Sequence, residues 1–124
     1  MAVVHAPSTH THELPGARFT SLATPSRGCT DTSVWMVEIE PGHPGAPHRL
    51  TREEVFVVLE GSATVRLGDV VSHAGPGDAV VVPIDTPFSI AAAGDEPFRA
   101  LCCMPVGGQA QLAEGEPFTP PWAR

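Results

Sequence analysis

The chain is expected to be an all-β protein, a sandwich or small barrel of short strands. Three observations predict this class. Fourteen prolines and twelve glycines are spread along 124 residues and punctuate short runs rich in Val, Ile and Phe, which is how many strands joined by turns read. Several runs alternate apolar and polar residues with period two. No stretch reads as a helix. The length suits one domain with a real core and is too short for two of ordinary size.

Residues 1–15 mix Pro, Ser, Thr and His without a period, so they are expected to form a flexible N-terminal arm that pairs only against a partner. The barrel proper is expected over 16–106. "ARFTSLA" (17–23) is its first strand, and the turn-rich 24–32 leads to "SVWMVEIE" (33–40). There Trp35, Val37 and Ile39 alternate with Met36, Glu38 and Glu40, so one face enters a core and the glutamates stay outside.

"PGHPGAP" (41–47) must be a loop, because its prolines lack donors and its glycines favour turns. It leads into a strand carrying His48. "EVFVVLE" (54–60) is apolar on both faces, with Val55, Val57 and Leu59 on one and Phe56 and Val58 on the other. It is expected to be a central strand covered on both sides.

Residues 62–72 read as a hairpin whose two-residue turn is Gly68-Asp69, glycine at the first position suiting type II′ geometry. After a turn at 73–78, strands at 79–83, 87–93 and 98–105 bring the total to about eight, at the even spacing of a sandwich or small barrel. Residues 107–124 read as a Pro-rich C-terminal tail.

Fourteen acidic residues face seven basic ones, all arginine, for a net charge of −7. Such a surface repels phosphate backbones and anionic membranes, so neither nucleic acid nor membrane is an expected partner. The N-terminus lacks the basic and apolar pattern of a secretory signal and no apolar run approaches bilayer length, so a cytoplasmic location is expected. The three cysteines, Cys29, Cys102 and Cys103, have no CxxC spacing and read as reduced thiols.

The segment "GHPGAPHRLTREEVFVVLEG" (42–61) carries the chemistry. Gly42, His48, Glu54 and Gly61 fall in the register of the first signature of the cupin superfamily, which the chain resembles. Leu50 holds the place of that signature's second histidine. The second signature aligns through Gly77 and Pro83, with Asp85 at the place of its glycine, Phe88 at that of its histidine and Ala92 at that of its asparagine. The resemblance covers residues 33–105 and implies a double-stranded β-helix, the jelly-roll barrel.

In the family both histidines and the glutamate meet one ion inside the barrel. Residues 48 and 50 of a strand share a face, so Leu50 replaces an imidazole by an apolar wall. Phe88 does the same from the opposite strand. His48 and Glu54 alone leave an ion dependent on water, whereas catalytic zinc and non-haem iron usually keep three protein ligands. No cofactor is therefore expected. A rearranged set completed by Cys102 or Cys103 is the alternative, since one of that pair must face inward. His10 and His12 read as solvated.

An imidazole and a carboxylate inside an apolar barrel are costly unless they pair with each other, with water or with a ligand. His48 and Glu54 are thus the candidate catalytic couple, an acid and base suited to isomerase, epimerase, dehydratase or cyclase chemistry. Leu50, Phe56, Phe88 and Cys102 are the expected pocket wall for a small organic molecule. Trp35 reads first as core and also counts with that wall. A non-catalytic ligand-binding or sensory protein, and a metal-dependent oxygenase or isomerase with rearranged ligands, are the alternatives. The apolar run at 54–60 and open strand edges imply a homodimer.

Overall fold

A computed structural model describes residues 2–124. Among the described residues eleven strands run β1 (His12–Leu14), β2 (Ala17–Ala23), β3 (Thr32–Ile39), β4 (His48–Leu50), β5 (Glu54–Glu60), β6 (Ala63–Leu67), β7 (Val70–Ala74), β8 (Ala79–Val82), β9 (Phe88–Ala92), β10 (Phe98–Pro105) and β11 (Ala110–Leu112). They form two antiparallel sheets, ordered β1-β2-β3-β10-β5-β8 and β11-β4-β9-β6-β7, which make the jelly-roll barrel. Two single 3-10 turns, Pro25–Arg27 and Pro121–Ala123, are the helical elements among the described residues. No helix there is long and apolar enough to cross a membrane.

Side-chain alternation decides which face of each strand enters the barrel. On β10, Phe98, Ala100, Cys102 and Met104 are buried while Arg99, Leu101 and Cys103 lie on the other face, half-buried. Trp35 and Val37 do the same on β3, Phe56 and Val58 on β5, Val80 and Val82 on β8. From the other sheet Leu50, Val65, Phe88 and Ile90 meet them in a single core.

The signature glycines mark sharp turns. Gly42, Gly61 and Gly77 have φ of 83°, 72° and 89°, a region a Cβ disfavours. At Gly61 the constraint is doubled, because a Cβ would run into the Pro97 carbonyl. Asp85 takes φ 56° where the family signature has glycine, a conformation aspartate tolerates better than most residues. Its N–H donates to the Leu50 carbonyl at 2.9 Å, tying the loop before β9 to the end of β4.

The hairpin turn is Gly68-Asp69, flanked by the Leu67–Val70 pair, and Gly68 carries the positive φ that type II′ requires. The turn expected at 73–78 is shorter, because β7 continues through Ala74.

Both termini depart from the sequence expectation. Residues 12–14 pair with β2 of the same chain, His12 opposite Phe19 and Leu14 opposite Ala17, so this part of the N-terminal arm needs no partner. In the C-terminal segment read as a tail, β11 extends the sheet beside β4. Beyond it, Trp122 stacks flat on Phe19 with centroids 3.6 Å apart and planes at 6°. The cause is polar as well as apolar. The buried hydroxyls of Ser21 and Ser33 donate to the carbonyls of Trp122 and Ala123, at 2.8 and 3.1 Å, which satisfies two buried donors.

Of the cover expected on both faces of 54–60, this chain supplies the inner one. β5 does lie between β10 and β8, but within the chain only its inner face is covered. On the outer face Val55 and Val57 are half-buried and Leu59 is 41% exposed, because β8 is the sheet edge and no further layer of this chain lies outside it.

Candidate functional site

The proline-broken loop 41–47 delivers the chain to β4, where His48 and Leu50 face the interior from the five-stranded sheet. The three residues 51–53 then cross to the other sheet, so Glu54 opens β5 opposite. Sequence neighbours thereby line two walls of one barrel. Phe88 is the direct cross-strand partner of His48, and their rings sit 4.2 Å apart, tilted by 48°. Phe56 lies 6.2 Å beyond Phe88.

Glu54 is 5% exposed. It pairs across the ladder with the fully buried Val82, and among the described residues it has no hydrogen bond or ion pair. No side-chain nitrogen or oxygen sealed from solvent lacks a partner, so the unbonded carboxyl oxygens keep a thread of access to solvent. Burial alone pushes this carboxyl up to about 8, because the charged form would lose its hydration without compensation. At neutral pH it is predominantly a carboxylic acid, hence a donor.

His48 is half-buried. Burial lowers its pKa, and a hydrogen bond to the Ala46 carbonyl opposes that shift. A carbonyl can only accept, so at 2.9 Å from it Nδ1 carries the proton. In the neutral ring the lone pair is then on Nε2. The geometry therefore sets a neutral acid and a neutral base inside one barrel. It does not pair them with each other, as the sequence allowed: no hydrogen bond or ion pair joins His48 to Glu54 among the described residues.

The remaining residues singled out in the sequence also find their places. Leu50 is 3% and Phe88 2% exposed, and Phe56, Trp35 and Cys102 are buried on inner faces. Trp35 pairs with Cys102 across β3 and β10. Burial, then the charge of Glu54, raises the Cys102 thiol, so it stays protonated. Cys103, on the outer face, is raised by the same two causes. His10 bonds Glu13 at 3.0 Å on the surface, and His12 bonds Thr11.

Whether these side chains suit the ion that cupins hold is decided by the donor set. Of the four signature positions, two carry donors and two carry Leu50 and Phe88, both filling the interior. Among the described residues no three His, Cys, Asp or Glu side chains gather as an ion would need, Cys102 included. The residues present do not fit the group.

Two cavities lie away from this couple. One of about 440 Å³ is lined by residues 13–18 and Glu40, beside the β1–β2 turn. The other, about 320 Å³, is lined by residues of β6, β7 and β8 together with Asp78. Sequence reasoning missed the second, although the inward positions of "ATVRL", "VVSHA" and "AVVV" follow from the same alternation that located the core. It also left Val82 unnamed as the residue shielding Glu54.

The architecture and the positions of His48 and Glu54 define a jelly-roll barrel of the cupin class. The chain matches the cupin domain family over residues 35–104 and belongs to that family. A 67-residue stretch is 39% identical to auxin-binding protein 5 of Zea mays, covering 52% of this chain and 44% of that protein, so the chain spans less than half of that relative's length. The polyketide cyclase RemF from Streptomyces resistomycificus superposes with a TM-score of 0.73 at 22% identity, over 91% of this chain and 82% of its own. A cupin 2 domain-containing protein from Halorhodospira halophila does so with a TM-score of 0.71 at 27% identity, over 89% and 74%.

Proposed function

We propose that this cupin takes a small organic molecule into its barrel and works without the usual cupin ion, with Glu54 as proton donor and His48 as proton acceptor. The observation that carries the reading is the buried Glu54 carboxyl, without a partner among the described residues. A polar group so placed is costly unless something else satisfies it, and a ligand oxygen or nitrogen would do so. With Nε2 of His48 free to take a proton, the couple suits chemistry that moves a proton without changing oxidation state: isomerisation, epimerisation, dehydration or ring closure.

The likeness to RemF supports the fold, and the residues must carry the chemistry. The test is turnover of a panel of small hydroxy and keto compounds, with His48→Ala and Glu54→Gln each checked for folding. Both substitutions are expected to abolish product formation. Full turnover in both overturns the proposal. Metal analysis of untagged protein is expected to find no near-stoichiometric transition ion.

A second reading, binding without turnover, is favoured by the two cavities of about 440 and 320 Å³, whose linings include neither His48 nor Glu54. Under it the panel yields saturable binding and no product.

The assembly proposed with either reading is a homodimer formed through the outer face of the six-stranded sheet. Val55, Val57, Leu101 and Met36 are half-buried there, Leu59 is 41% and Val81 50% exposed, and a second copy would cover them. Light scattering is expected to give twice the 13.0 kDa chain mass. A monomer at micromolar concentration overturns this.

A further inference from the structure

β7 and β8 are each one edge strand of their sheet, and the turn joining them carries the chain from one sheet to the other. The sheets part at this seam, leaving the cavity of about 320 Å³. That volume is near the lower end of small-molecule sites, which run from about 300 to 1,000 Å³.

Its walls are set by register. Leu67 is the cross-strand neighbour of Phe88, and Val65 of Ile90. On the other sheet Val80 neighbours Phe56. Phe56 and Phe88, 6.2 Å apart, therefore stand between this cavity and the His48 and Glu54 couple, which makes it a separate compartment.

The wall is also preformed. The turn is pinned to β5 by Gly77 N–H to the Val58 carbonyl and Val58 N–H to the Asp78 carbonyl, both 2.9 Å. The Asp78 carboxylate accepts the Gly75 N–H at 2.9 Å. A site that does not have to be ordered on binding loses less affinity.

The geometry points to this seam as a binding site for an uncharged, mostly apolar molecule about the size of one ring with a short polar substituent. Val65, Leu67, Ala74 and Val80 provide the apolar walls, and Ser72, His73 and Asp78 provide the polar rim. Asp78 keeps one carboxylate oxygen without a partner among the described residues, suited to accept from a hydroxyl. The Asp78 carboxylate lines the cavity, no arginine offsets it beside His73, and the chain carries a net charge of −7, so a carboxylate ligand is repelled. The site needs no contribution from His48 or Glu54.

The experiment is a titration of full-length isotope-labelled protein, followed by amide chemical shifts, with benzyl alcohol and benzoate as probes. Benzyl alcohol is expected to shift Val65, Leu67, Ala74 and Val80 saturably, and benzoate to bind at least tenfold more weakly. Ser72→Trp, an exposed edge substitution facing the cavity, is expected to weaken benzyl alcohol binding at least tenfold while the spectrum stays dispersed. Asp78→Asn, which keeps an acceptor for Gly75, is expected to narrow the gap between the two probes. Shifts absent from these residues, equal binding of both probes, or unchanged binding in Ser72→Trp each overturn the site. Because the readout is local binding, it stands or falls separately from turnover at His48 and Glu54.

Discussion

The His48 imidazole lies against the Phe88 ring, with centroids 4.2 Å apart, on directly paired positions of β4 and β9. In the family signature the second of those positions is also a histidine. An ion cage and an aromatic contact thus differ here by side chain alone, the backbone frame being common to both.

That relationship gives a direct test. The double substitution Leu50→His and Phe88→His restores the family's donors around His48 and Glu54, and the variant is expected to retain a divalent transition ion after dialysis, at several times the level of the native protein. Elemental analysis measures it. Equal metal content in the two proteins would sink the idea that these two side chains close the site.

The buried carboxyl predicts a pH dependence of stability. In the fold Glu54 holds its proton up to about 8, whereas its reference value is 4.5. Between those values the folded protein binds the proton and the unfolded chain does not. The stabilisation is complete below about 4.5, declines by up to ~1.4 kcal/mol per pH unit as pH rises, and levels off above about 8. Glu54→Gln carries no such proton, so urea unfolding of both proteins from pH 5 to 9 isolates the effect. A constant difference across that range would remove it. His48, whose pKa is lowered, acts oppositely and weakens the fold as pH falls below 6.5.

The same carboxyl predicts that function and stability conflict at position 54. Glu54→Leu replaces an unpartnered acid by an apolar side chain in an apolar setting, and at pH 8 it is expected to stabilise the protein by ~1–3 kcal/mol. Thermal unfolding measures this. A destabilised Leu variant would mean that Glu54 has a structural partner.

The C-terminal clasp predicts a cost for its removal. Trp122→Ala loses the stack on Phe19 and is expected to destabilise by ~2 kcal/mol, below the usual range for a buried tryptophan because Trp122 is only partly buried. Deleting residues 120–124 also strips the Ser21 and Ser33 hydroxyls of their acceptors and is expected to cost more. Denaturant midpoints of the two variants settle the order.

Strands with a periodic signal were legible. The alternating run 33–40 falls within one residue of β3, because alternation in one strand suffices to orient it, and the apolar runs 54–60 and 98–105, bounded by turn residues, coincide with β5 and β10. The hairpin at Gly68-Asp69 was legible for a similar reason, a turn being a local event. β1 and β11 were not, since three residues each carry no period and their pairing depends on β2 and β4 being there first.

The amino-acid sequence by itself determined the all-β class, the frame of signature glycines, and the presence of one imidazole and one carboxylate where the family has more donors. Each follows from residue type and spacing along the chain. Tertiary structure alone decided that Glu54 has no partner among the described residues and holds its proton, that His48 turns Nδ1 to Ala46, that Trp122 closes on Phe19, and that a cavity opens between β7 and β8. Those outcomes depend on which groups burial brings together across two sheets, and a pKa or a void is set by that surrounding rather than by neighbours in the chain.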